Sequence, residues 1–234
     1  MATRGLTLPL RRAPSESLLA VATLVLVCFY YVARADTVGV FSPERGWFAV
    51  TGVPLAPARH FLAAALLLAT VPVLAARWLT GRSLAELGLG LGRWRIGLVW
   101  LALGVPLAIA AGRIAALSPA IRAVYPLDPS LVAEPRAFAR YAALQFLYFG
   151  SWEVLFRGVL LFGLRPRLGS GPANLVQTAL SVTAHFARAV NETVAAAPAG
   201  LVFGAVDLKV GSIWYVALVH WVVGVSMDWF ILTT

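Results

Sequence analysis

Tyr148-Phe149-Gly150-Ser151-Trp152-Glu153-Val154-Leu155-Phe156-Arg157-Gly158 places a carboxylate and a guanidinium four residues apart inside a long apolar stretch. A charge at bilayer depth costs several kcal/mol, so ionisable groups there usually face a bundle interior and mark a site. His185 lies in a second apolar stretch and His220 in a third. Ionisable residues in three hydrophobic segments predict one polar pocket assembled from several helices.

The rest of the chain agrees with a membrane setting. Of its 234 residues 60% are hydrophobic and 12% charged, against about 25% charged in a soluble domain. Apolar runs of about 20 residues, each long enough to cross the hydrocarbon core as a helix, recur along the sequence. The expected fold is all-α, a polytopic transmembrane bundle of about seven spans. They fall near 18–33, 60–79, 96–117, 137–163, 173–190, a short 193–206, and 212–232. The stretch 47–57 is too short and too rich in Pro and Gly to span, and is expected at the interface. No internal repeat or long linker divides the chain, so residues 1–234 read as a single transmembrane domain.

The net charge of +9 is carried almost wholly by arginine in short loops. No basic patch with interleaved aromatics occurs, so nucleic acid is not expected as a partner. The charge reads as topology and contact with the lipid bilayer. Arg4, Arg11 and Arg12 precede the first span, Arg77, Arg82, Arg93 and Arg95 lie between the second and third, and Arg165 and Arg167 follow the fourth. The positive-inside rule then puts the N-terminus in the cytoplasm. Ala33-Arg34-Ala35 after the first apolar run has the look of a signal-peptide cleavage site. An uncleaved first span is the expectation, because later spans need no separate export signal. The single Cys28 offers no disulfide. Gly200 and Gly204 form a small-residue ridge suited to helix packing.

Glu153 and Arg157 share one helical face. Such a pair can simply lock two helices. It can also tune a general base, since burial disfavours the carboxylate and a neighbouring cation favours it. His185 or His220 alone could be satisfied by a backbone carbonyl; together with the pair they point to a shared site. Glu192, seven residues after His185, and Asp228, eight after His220, are accessory candidates. The simpler readings make Glu192 a solvated loop residue and Asp228 an interfacial one.

The order of these elements, Glu-x-x-x-Arg-Gly, then His185, then Gly211-Ser212-Ile213-Trp214 leading to His220, resembles the CAAX protease and bacteriocin-processing (CPBP or ABI) family of intramembrane proteases. The resemblance runs from about Leu144 to Asp228, within a protease-like core of about 137–232. In that family the motifs are two adjacent glutamates, three residues and arginine; phenylalanine, three residues and histidine; and histidine, three residues and asparagine or aspartate. Glu153, Arg157, His185 and His220 match. Trp152 stands at the first glutamate position, Ser181 at the phenylalanine and Gly224 at the asparagine. The Trp-Glu and His-Trp-x-x-Gly forms look like a bacterial branch of glutamic-type sorting proteases.

The resemblance implies an intramembrane endopeptidase of the bacterial plasma membrane, acting on a membrane-anchored protein or C-terminal tail. Glu153 with His185 would activate water, His220 would stabilise the oxyanion and Arg157 would orient Glu153. The family's first glutamate is commonly given the water-activating role, so Trp152 keeps a non-catalytic scaffold of the same fold as the alternative. A proton-coupled transporter fits less well, because no paired repeats or matching broken helices occur. No cofactor is expected. Glu and two His could ligate zinc, but no His-Glu-x-x-His occurs, and a metal-free site is the expectation.

Overall fold

The computed structural model describes residues 15–33, 55–132, 135–186 and 188–234. The candidate cleavage site around Arg34, the first part of the interfacial stretch 47–57, and the N-terminal arginines lie outside these residues. All regular structure among them is helical.

Seven long helical rods hold most of the described residues, with short turns of helix at Pro119–Arg122, Pro129–Val132 and Pro135–Ala137 between the third and fourth. α1 is Ser17–Ala33. α2 runs unbroken through Leu55–Ala64, a π-helical Ala65–Thr70 and Val71–Thr80. Its wide turns precede Pro72, whose missing N–H cannot continue the α ladder. α3 is Trp94–Ala115. α4 joins Phe138–Glu153, a π-helical Val154–Phe162 and Gly163–Leu168. α5 is Ser170–Ala184, α6 is Val190–Val210 and α7 is Trp214–Thr233. Five of these contain stretches long and apolar enough to cross a membrane, in α2, α3, α4, α6 and α7, and Ser17–Tyr30 is a shorter apolar helix. The chain is a multi-pass membrane protein.

Two expected spans change length. The sixth is not short: α6 covers 21 residues, carrying Asp207 and Lys209 in its last two turns before Gly211 closes it in the left-handed conformation. The fifth stops at Ala184, five or six residues early, with His185 as its C-cap.

α4 is the central post. Leu155, Phe156, Leu160, Leu161 and Leu164 are fully buried against α1, α2 and α5. α3 lies instead along α7, on a seam of small residues. A Cβ on Gly112 would sit 2.8 Å from the Val223 carbonyl oxygen and 2.8 Å from the Met227 nitrogen, so the two backbones touch there. α5 packs on α6 as the glycine ridge predicts. Gly200 faces Thr178 and Gly204 faces Asn174, while Gln177 Nε2 donates to the Gly200 carbonyl at 3.1 Å.

The loop between α2 and α3 fixes where α7 begins. Ile213 N donates to the Gly88 carbonyl at 3.0 Å. Trp214 Nε1 donates to the Leu89 carbonyl at 2.9 Å and Tyr215 OH to the Leu91 carbonyl at 3.1 Å.

Candidate active site

α4 and α5 form a hairpin that turns at Gly169, where φ is 83°. Glu153 lies sixteen residues before that glycine and His185 sixteen after it. The two helices run antiparallel, so these residues come back beside one another across the hairpin. The indole of Trp152 meets the His185 ring edge-on, 5.0 Å between centroids. α7 supplies His220 beside them.

Glu153 is fully buried. His220 Nδ1 lies 2.6 Å from its Oε1, and Arg157 Nε 3.2 Å from its Oε2. A carboxylate only accepts, so the Nδ1 facing it carries the proton and Nε2 is left for other partners. The His220 ring is held by two aromatics, Phe149 edge-on at 4.7 Å and Phe203 at 5.8 Å. Phe203 also lies 5.8 Å from the Arg157 guanidinium carbon.

His185 obeys the same logic. Its Nδ1 is 2.6 Å from the Ser181 carbonyl oxygen, so Nδ1 donates and Nε2 is again the remaining nitrogen. Ser181 thus serves through its backbone at the position where the resemblance places phenylalanine. Tyr30 of α1 donates to the neighbouring Ala184 carbonyl.

Arg157, His185 and His220 line one cavity of about 660 Å³ walled by α3, α4, α6 and α7. Glu153 stands behind that wall, in contact with His220. Much of the lining is aliphatic, as in Leu103 and Leu107 of α3 and Ala195 and Val202 of α6.

Glu192 lies on α6 rather than on a continuation of the His185 helix, yet it reaches the same cavity. Its carboxylate accepts from Tyr125 OH at 3.3 and 3.4 Å. Burial raises the Tyr125 phenol well above its ordinary range, more than Arg188 nearby lowers it, so it stays a donor. Asp228 is held inside the bundle rather than exposed. It is fully buried and accepts from Tyr141 OH at 3.0 Å and Gln145 Nε2 at 2.8 Å, joining α7 to α4. Gly224 stands under Phe149, whose ring atoms would be 2.3 Å from a Cβ there. An asparagine would displace the aromatic that holds His220.

One residue escaped the sequence reading. Asp207 is fully buried, with both oxygens lacking hydrogen-bond partners, and its charged neighbours are Glu153 and Arg157. The available signal was a lone acid inside an apolar run closed by Gly211.

Oε1 of Glu153 is engaged by an N–H and Oε2 faces a guanidinium, which a divalent cation would oppose. No three metal-ligating side chains cluster among the described residues.

Comparison with known proteins finds no match among curated proteins and none among solved structures. Residues 137–226, the interval holding Glu153, Arg157, His185, His220 and Gly224, match the model of a family described as type II CAAX prenyl endopeptidase Rce1-like.

Proposed function

We propose that this protein is an intramembrane endopeptidase of the glutamic type, hydrolysing a peptide bond in a membrane-anchored protein or C-terminal tail. The observation that carries this reading is the buried Glu153–His220 pair, backed by Arg157 and opening through His220 onto a cavity shared with His185. An Rce1-like domain over the same residues supports a protease.

The chemistry follows from the two fixed tautomers. A water held between His220 Nε2 and His185 Nε2 loses a proton to His220 as its oxygen attacks the scissile carbonyl. Glu153 stabilises the imidazolium that forms, the role a carboxylate plays behind a histidine base. Arg157, paired with Glu153, brings its positive charge to the side of the developing oxyanion. The tetrahedral intermediate collapses, the C–N bond breaks, and His220 returns its proton to the leaving amine. Glu153 therefore acts through His220 rather than by touching water itself. No step needs a metal or another cofactor. We place the protein in the bacterial plasma membrane with its N-terminus in the cytoplasm, on the arginine distribution.

The test is to reconstitute the purified protein with a membrane-anchored peptide and look for a new terminus by mass spectrometry. Cleavage by the wild type and none by His220→Ala supports the reading; no cleavage of any candidate by the wild type opposes it. Trp152 favours one rival, a scaffold that keeps the fold without catalysis. It buries an indole where the resemblance places the first glutamate.

A further inference from the structure

Arg188 is the cation of the cavity that this chemistry leaves unused. Its backbone N–H donates to the His185 carbonyl at 2.8 Å. Thr193 Oγ1 donates to the same carbonyl at 2.7 Å. The turn from α5 to α6 is thereby pinned on the residue that carries the imidazole, and guanidinium and imidazole move as one frame. The guanidinium carbon lies 5.9 Å from the Tyr125 ring centroid. Arg188 lines the cavity together with His185 and His220.

Arg188 makes no ion pair within 4 Å among the described residues; Glu192 acts on it from further off, and Tyr148 lies within hydrogen-bond reach of its side chain. Glu192, four residues on, is bound by Tyr125. Arg157, the other cation on this wall, is paired with Glu153. A half-buried guanidinium with no carboxylate at ion-pair distance gains most from one that accepts two parallel N–H bonds.

We propose that Arg188 is a specificity residue that receives a carboxylate of the peptide substrate, an Asp or Glu side chain or a free C-terminus, a few residues from the bond presented to His185 and His220. The proposal rests on the proteolytic reading of the site, but the binding it describes needs no cleavage. A peptide is favoured over a lipid phosphate because a group reaching Arg188 must enter the cavity the two imidazoles line.

The experiment uses the full chain carrying Glu153→Gln, in nanodiscs of phosphatidylcholine, and reads binding by fluorescence anisotropy. The probes are Leu-Ala peptides with an uncharged dye: one with a free C-terminus, its C-terminal amide, and amides carrying one internal Glu, Gln or Lys. A carboxylate-bearing peptide should bind about tenfold tighter than its amide or Gln counterpart. Arg188→Gln should erase that preference, Arg188→Lys should restore part of it, and Arg188→Glu should favour the Lys peptide, a gain that an unfolded variant cannot show. The proposal is overturned if the preference survives Arg188→Gln or if no carboxylate peptide is preferred. It is also overturned if phosphatidylglycerol in the disc displaces the peptide through Arg188. Cleavage of the same peptides by the wild type is scored separately. Arg188-dependent binding without cleavage would sink the protease reading and leave this one standing.

Discussion

His220 donates through Nδ1 to Glu153 at 2.6 Å, and the other oxygen of that carboxylate faces Arg157 at 3.2 Å. One buried anion thus serves two cationic or donor groups from two helices. It fixes the imidazole tautomer from behind, where substrate cannot reach.

Glu153→Gln tests that arrangement. The amide keeps the size but presents an uncharged acceptor to His220 and cannot stabilise an imidazolium. Loss of the carboxylate behind a histidine base costs about 10⁴-fold, so processing of a membrane-anchored reporter should fall by about that order while protein level holds. His220→Ala and His185→Ala should do the same. Normal processing by Glu153→Gln would remove Glu153 from the mechanism.

Metal independence is the second expectation. Purified protein treated with a strong chelator should process substrate at the untreated rate, and metal analysis should find no stoichiometric zinc. Activity lost to the chelator and restored by zinc would reverse the glutamic-type assignment.

Asp228 separates structure from chemistry. Asp228→Ala leaves the Tyr141 hydroxyl and the Gln145 amide without their acceptor in a buried place, at a cost of about 1–3 kcal/mol for an unsatisfied group. The unfolding temperature in detergent should drop. Asp228→Asn keeps an acceptor oxygen and should process substrate almost normally. Loss of processing in Asp228→Asn at unchanged stability would give Asp228 a role in the reaction.

Gly112→Ala addresses the α3–α7 seam. The added methyl meets backbone atoms of α7, which cannot rotate aside as a side chain would. Overpacking of this kind costs about 1–3 kcal/mol, and thermal unfolding in detergent should show it. An unchanged unfolding temperature would mean the seam is looser than the close approach of Gly112 to Val223 and Met227 indicates.

Glu153, Arg157, His185 and His220, which the fold brings together, could be singled out in the sequence because each is an ionisable group in an apolar run, and the bilayer makes that combination expensive. The sequence also carried the order of seven helices, through run length alone. It did not carry Asp207, because an acid followed by Lys209 and Gly211 reads as the polar end of a span; only packing shows that α6 continues and buries it. Glu192 was placed beside His185 by assuming one continuous helix, and the chain instead turns at His185 and brings Glu192 back on the next helix. Asp228 reads as interfacial near a span's end, and its burial depends on Tyr141 and Gln145 from a distant segment. The closeness of the Glu153 turn to His185 needed the hairpin at Gly169, which folds α5 back along α4.

The π-helical run Val154–Phe162 begins at the residue after Glu153 and contains Arg157. A π turn holds one more residue than the α ladder requires, the mark of a single inserted amino acid accommodated without breaking the helix. The geometry between Glu153 and Gly169 therefore depends on the length of this segment as well as on its side chains. Removing one residue between Val154 and Phe162 would let the segment revert to α geometry, with a narrower turn and a longer rise per residue. For this protein the length of one segment, as much as the identity of its side chains, is what selection has to preserve.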